Sequence, residues 1–323
     1  MPLFINILTP YLSDSAIIVG RFKISFLILL LYCILSKKNM RLNHGKDTLL
    51  IAVAGFFMVA YAFTFIRALD IYGSSRTLVW TYTFVILTTS LYDEIKHFRD
   101  KSERKSKYFV FNIISLVVLF FALVLSNPLD EFNISGIIDS MSWTFLGAIS
   151  GILFGIRIIF IKYVIGVKIY EVDTTANSYN NREEIVLLRE QFFTLIFALA
   201  FMLYFTITTN YMTMISYAIE HIYILLPLVF LVLLGSISTA MPGIFLYKGL
   251  SAVKNSSSSQ TIATLEIVIG VILMSMFTEE VMQIQQYISA FLIFIAIAIK
   301  TNFIWELRNW LKLAKYNDKN ANN

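Results

Sequence analysis

Long apolar stretches separated by short polar breaks run through nearly the whole chain. Each is continuous and close to the ~20 residues that a helix needs to cross a bilayer, unlike the short alternating segments of an outer-membrane barrel. The pattern places full spans near residues 16–35, 48–69, 74–92, 108–126, 141–165, 185–208, 222–248, 258–278 and 282–300. A spanning segment must satisfy its own backbone hydrogen bonds in hydrocarbon, so these stretches are expected to be helices. The expected fold class is an all-α polytopic membrane protein. The opening segment Met1 to Pro10 is apolar but too short to cross. It reads either as a re-entrant stub or, preferably, as the second half of a helix whose beginning is missing, so the design has nine to ten transmembrane helices.

Basic residues divide the loops into two alternating sets. One set holds Lys37, Lys38, Arg41 and Lys46, then Lys96, Arg99, Lys101, Arg104, Lys105 and Lys107, then Lys168 and Arg182, then Lys254, and finally Arg308, Lys312 and Lys315. The other set, residues 9–15, 127–140, 209–221 and 278–281, contains no Lys or Arg and carries Asp14, Asp130, Glu131, Asp139, Glu220, Glu279 and Glu280. The positive-inside rule puts the first set, and the C-terminus with it, in the cytoplasm. The turn near Asp70 is the exception, and its flanking Arg67 and Arg76 are expected inside the protein. Residues 301–323 read as an amphipathic segment, with Phe303, Trp305 and Trp310 beside Arg308 and Lys312, followed by a polar, Asn-rich tail.

Composition narrows the function classes. With 58% hydrophobic residues, a mean hydropathy of +0.72 and 15% charged residues, the chain cannot coat a soluble globule. Its net charge of +5 lies in loops that topology explains, so no nucleic-acid partner is expected. Cys33 is the single cysteine and sits in an apolar run, which fits a buried core residue and excludes a disulfide framework. His44, His97 and His221 are scattered over loops and span ends. No HExxH, GxSxG or multi-Asp motif is present, so no catalytic residue, metal site or cofactor is assigned and the chain is not expected to be an enzyme.

The halves of the chain resemble each other. Arg67 to Glu94 parallels Tyr247 to Glu280: a short Ser-rich polar turn, an apolar helix, and an acidic pair, Asp93-Glu94 or Glu279-Glu280. Ile17 to Tyr32 parallels Ile185 to Tyr204, each with an arginine, Arg21 or Arg189, near its start. The unit is about five helices, and an odd count inverts the second copy. A 5+5 inverted repeat is the signature of many secondary transporters. Residues 1–126 form the first unit, 141–300 the second, and 301–323 the cytoplasmic tail.

Tyr247-Lys248-Gly249-Leu250, the run Ser256 to Gln260, Leu265-Glu266 and Glu279-Glu280 before the last span resemble the EamA-like branch of the drug/metabolite transporter superfamily. Ile267 stands where that family has a proline, and Glu279 where it has a glycine. The first half retains Ala68-Leu69 and Glu94. The resemblance implies a ten-helix inverted-repeat carrier of small metabolites, amino acids or drugs in the bacterial inner membrane. The expected function is therefore secondary transport by alternating access, with a small-molecule substrate and a proton as candidate coupling ion. A homodimer is compatible with such a chain. The alternative is an intramembrane lipid-modifying enzyme or a non-transporting membrane scaffold.

Each ionisable side chain in hydrocarbon costs about 2.5–3.5 kcal/mol on insertion scales, which makes it a candidate site. Glu266, well inside the span 258–278, reads either as a proton- or cation-binding group or as a hydrogen-bonded lock on helix packing. Arg21, Arg189 and Arg67 are candidates for an anionic substrate, or snorkelling and paired arginines. Tyr61, Trp80 and Tyr82 could line a cavity that stacks aromatic or cationic cargo. Gly147, Gly151 and Gly155, at four-residue spacing, predict close helix approach. Pro227 and Pro242, with Gly243, predict a break in the span 222–248.

Overall fold

The computed structural model describes residues 2–37, 45–99, 105–126, 134–166, 182–208, 225–252 and 283–300. Glu266 and its span 258–278, and the tail 301–323, lie outside the described residues. Within them the regular structure is entirely helical. The elements are α1 (Pro2–Leu8), α2 (Asp14–Leu35), α3 (Gly45–Tyr72), α4 (Ser74–Arg99), α5 (Lys105–Ser126), α6 (Ile134–Gly166), α7 (Arg182–Thr208), α8 (Leu225–Gly235), a π turn (Ser236–Ala240), α9 (Met241–Ala252) and α10 (Ile284–Lys300).

Among the described residues five helical stretches are long and apolar enough to cross a membrane: Asp14–Leu35, Gly45–Tyr72, Phe145–Ile165, Glu183–Tyr204 and Pro227–Lys248. Shorter apolar stretches run over Ile113–Ser126 in α5 and Ile284–Ile299 in α10. Large apolar side chains such as Leu31, Phe121, Phe145, Leu203, Phe245 and Phe291 are exposed on the outside of the bundle. Such a surface calls for lipid rather than water against it. Helix α4, read from sequence as a span, is more polar than these five. It lies against α6 and α5, with Thr77, Thr81, Thr83 and Thr89 buried. A helix on an inner position can carry hydroxyls where they bond within the protein. Thr89 donates to the Val85 carbonyl at 2.9 Å, and Thr81 shares a 2.7 Å bond with Ser150 of α6.

Packing contacts give the helix directions. Phe26 stacks near Phe192 and Tyr32 reaches Glu184, so α2 and α7 are antiparallel. Thr48 meets Arg189, Phe56 meets Phe197 and Phe63 meets Phe201, so α3 runs parallel to α7. Helix α8 runs parallel to α2, because a Cβ on Gly20 would touch Leu231 and one on Gly235 would touch Ile24. Helices α5 and α10 are antiparallel and joined by two reciprocal bonds. Ser115 of α5 donates to the Ala296 carbonyl at 2.8 Å, and Ser289 of α10 donates to the Ala122 carbonyl at 2.5 Å. Ser115 is to Ala122 as Ser289 is to Ala296, seven residues apart in each helix, so exchanging the helices exchanges the bonds.

The other contacts show the same exchange. Helix α3 packs on α6 and α7, as α8 packs on α1 and α2. Gly55 of α3 faces Glu190, Phe193 and Thr194 of α7, and Gly235 of α8 faces Arg21 and Ile24 of α2. Short as it is, α1 buries Ile5 and Leu8 and sets Phe4 6.1 Å from Phe230 of α8.

Two local features shape the ends and the break. Tyr72 ends α3, and Gly73 turns the chain with a φ of 77°, its N–H bonding the Leu69 carbonyl. That is a left-handed helix cap, which glycine adopts without the Cβ clash other residues meet. In the span expected to break at its prolines, the helix widens just upstream of Pro242. Proline has no N–H and its ring crowds the carbonyl four residues back, here that of Ser238. The chain shifts into π register over Ser236–Ala240, with the Met241 N–H bonding the Ser236 carbonyl.

The glycine row on α6 sits on α4. Gly147 faces Trp80, Gly151 faces the Thr81 carbonyl and Phe84, and Gly155 faces Thr88. A Cβ on Gly151 would press into backbone, so Gly151→Ala should destabilise the fold by about 1–3 kcal/mol. Gly45→Ala, where a Cβ meets nothing within 4 Å, should leave stability nearly unchanged. Unfolding of the two purified variants by SDS titration in micelles checks the contrast.

Candidate functional site

Two apolar clusters fill the bundle. One surrounds Phe22, Tyr61, Phe65 and Ile86, the other Leu29, Cys33, Ile158 and Leu187, and Phe154 of α6 packs against both. One turn beyond Phe154, Arg157 is buried with its guanidinium 5.0 Å from that ring. Its partner is Glu190 of α7, fully buried. Arg157 Nε donates to Oε1 at 2.5 Å and Nη2 to Oε2 at 2.8 Å. The Tyr247 hydroxyl of α9 donates to the same Oε2. Helices α6, α7 and α9 therefore meet on one carboxylate.

The surroundings explain why the pair survives in an apolar interior. A buried ion pair is tolerable only where geometry is good and remaining lone pairs are used. Here the fork is bidentate, the phenol adds a third bond, and Tyr61 packs at 4.7 Å on Phe154. Helix α3 comes close to this point because Gly55 lies against the Glu190 carbonyl. Glu190 lies about 12 Å along α7 from its first residue, at 1.5 Å per residue. Nearer the helix start, Glu184 is buried, accepts from the Tyr32 hydroxyl at 3.4 Å and pairs with Lys248 at 3.3 Å.

The candidates read from sequence are distributed differently. Arg21 is buried, with Nε donating to Thr239 Oγ1 at 2.7 Å and its guanidinium 5.2 Å from the Phe22 ring. Thr239 in turn donates to the Leu234 carbonyl, so Arg21 braces the π turn. Arg189 is partly buried, and its Nη1 donates to Thr48 Oγ1 at 3.4 Å. Arg67, expected inside, has a side chain 65% exposed and pairs with Asp14 at 3.4 Å. Arg76, expected inside with it, is partly buried. Tyr61 and Tyr82 are buried in the same cluster. Trp80, two residues from Tyr82 and so about 200° around α4, stacks instead on Phe84 and faces Gly147. The three aromatics do not line one surface.

Arg157 and Glu190 were missed by the sequence reading, and Tyr247 was noted only as part of a motif. The signal was present: opposite charges in two apolar stretches, at Arg157 within 141–165 and Glu190 within 185–208. Chemically, the cluster stores a carboxylate whose charge is matched by one guanidinium and which accepts a further bond from one phenol. A ligand carboxylate would compete with Glu190 for those same donors, and a proton would compete with the donors for the Glu190 oxygens. Among the described residues no group of three or more His, Cys, Asp or Glu side chains is placed to hold a metal.

No family model and no curated protein matches this chain. A solved structure described only as "Crystal structure of protein" is similar to it at a TM-score of 0.60 and 11% identity, over 94% of this chain and 94% of that one. At that identity the likeness carries the fold alone.

Removing one partner from a buried pair strands the other. Arg157→Met should cost about 3–5 kcal/mol of stability, and adding Glu190→Leu and Tyr247→Phe should recover most of that loss. SDS-titrated unfolding of the single and triple variants measures both.

Proposed function

We propose that this protein is a secondary transporter that moves a small metabolite, amino acid or drug by alternating access between two inverted halves. It would be a multi-pass protein of the bacterial inner membrane with a cytoplasmic C-terminus, of the kind its sequence resembles, the EamA-like drug/metabolite transporters. The observation that carries the reading is the reciprocal pair of serine bonds between α5 and α10. A contact that maps onto itself when two antiparallel helices are exchanged is what a two-fold axis in the membrane plane produces. The matching approaches of Gly55 to α7 and Gly235 to α2 support the same axis. The spans and alternating loop charges read from the sequence agree with it.

Helices of both halves meet around Glu190: α3 through Gly55, and α6, α7 and α9 through side chains. A carrier needs a charged group whose partners change as the halves rock, and Glu190 with Arg157 is the group positioned for that. Glu266 remains the other coupling candidate.

The full chain, purified and reconstituted in liposomes, is to be tested with a labelled panel of amino acids, organic acids and cationic drugs, with and without a pH gradient. At least one compound should enter saturably, and Glu190→Gln should cut that uptake about tenfold or more, as expected for losing a charge-assisted bond. If no compound moves, the carrier reading is wrong. Retained pH-driven uptake in Glu266→Gln would remove that residue as the coupling group.

A further inference from the structure

The outward face of α2 carries a charge that the packing of the bundle leaves over. Gly20 and Ile24 lie against Leu231 and Gly235 of α8, and Phe26 lies 5.7 Å from Phe192 of α7. At about 100° per residue, the side of α2 between these two contacts belongs to Lys23, Leu27 and Ile34. All three are exposed, and so is Leu31 beside them. Past the α7 contact, Phe192 and Ile196 are exposed as well, so the lysine stands within an apolar surface. Among the described residues no ion pair reaches Lys23.

The depth of the charge defines what meets it. Lys23 stands nine residues after Asp14, about 14 Å along α2 at 1.5 Å per residue, and closer to the start of the helix than to Leu35. An ammonium left in hydrocarbon there is costly, and the cost falls when the side chain snorkels and the bilayer thins around it. Helical side chains lean toward the N-terminus, so the flexible four-carbon stem carries the ammonium toward the start of α2. The anion waiting on that side is the phosphate of a lipid headgroup. A second copy of the chain fits this face badly. A two-fold axis along the membrane normal would set Lys23 against the partner's Lys23 at one depth, cation to cation. Other bases offer little competition at this end: residues 9–15 before α2 and 209–221 after α7 contain no Lys or Arg, and Arg67 is held by Asp14.

We infer that Lys23 and the adjoining α2 and α7 surface form a docking site for an anionic phospholipid of the leaflet on the side where α2 begins. The phosphate sits on the Lys23 ammonium, and an acyl chain runs deeper along Leu27, Leu31 and Phe192. A lipid with net negative charge is preferred, because a phosphatidylcholine phosphate already has a cation of its own beside it. The site rests on the chain's crossing a membrane and is independent of whether the protein is a carrier.

Cys33 is the one native cysteine, so Cys33→Ala with Leu27→Cys leaves a single thiol on this face for a bimane label. The full labelled chain is reconstituted in phosphatidylcholine vesicles and titrated with lipids brominated on their acyl chains, which quench bimane on contact. Brominated phosphatidylglycerol should quench with about fivefold higher apparent affinity than brominated phosphatidylcholine, the size of one lysine's attraction to an anionic headgroup. Adding Lys23→Arg should keep that ratio, and adding Lys23→Leu should bring it to about one. Both changes lie on the exposed side of α2, away from its packed side, so the fold is spared. In a second protein, Cys33→Ala with Phe291→Cys moves the label to the exposed face of α10, where the ratio should be about one. A ratio near one at position 27, a ratio unchanged by Lys23→Leu, or an equal preference at position 291 would each overturn the site. So would quenching by neither lipid at position 27, the result of a second copy seated on the face.

Discussion

The Glu190 carboxylate is the point on which the packing of three helices depends. In an interior without water, Arg157 can be buried only if its fork is filled, and Glu190 only if its oxygens are. Those two requirements fix the rotation of α6 against α7, and the Tyr247 bond extends the constraint to α9. Apolar packing alone would tolerate a helix turned by several degrees, because dispersion contacts are non-directional. A bidentate guanidinium does not. The same logic operates more gently elsewhere: Ser115, Ser289, Thr81 and Ser150 place hydroxyls against carbonyls or one another across helix pairs.

Close approach is the second ingredient. Helices gain little from burying apolar surface when lipid is as apolar as leucine, so contact distance matters. Gly147, Gly151 and Gly155 let α6 lie on α4, while Gly55 and Gly235 do the same for α3 on α7 and α8 on α2. The hydrogen bond between Thr81 and Ser150 exists because Gly151 permits the backbones to come within its reach. Packing and polar satisfaction are therefore one constraint in this bundle, and a larger residue at the glycine would lengthen the bond as well as lift the helix.

Much of the helical frame was legible because it rests on local composition. Apolar length located the stretches within α2, α3, α6 and α7, and four-residue glycine spacing located the tight face of α6. Proline chemistry located the break in the span 222–248 within a few residues, though the π turn falls upstream of Pro242, where the carbonyl without a donor lies. The site was less legible. Arg189 and Glu190 are neighbours in sequence, and the correspondence with Arg21 drew notice to the arginine, whereas the structure buries the glutamate. Nothing local says that Glu190 pairs with Arg157 across the bundle. Nor does aromatic content say which rings face each other: Trp80 and Tyr82 are close in sequence and on different sides of α4.

The exchange of helix contacts is incomplete at the buried charges. The approaches of Gly55 and Gly235 match Glu190 with Arg21 and Phe193 with Ile24, so α2 carries an arginine where α7 carries the glutamate. Arg21 places its guanidinium on the Phe22 ring and on Thr239 at the π turn, while Glu190 holds a full ion pair with Arg157. A bundle with matching helix approaches but charge locked on one side has two inequivalent ends. A bidentate guanidinium resists separation of α6 from α7 more than one hydroxyl bond resists separation of α2 from the π turn. One difference inside otherwise matching helix approaches, arginine on α2 and glutamate on α7, thus decides where the bundle holds a full ion pair.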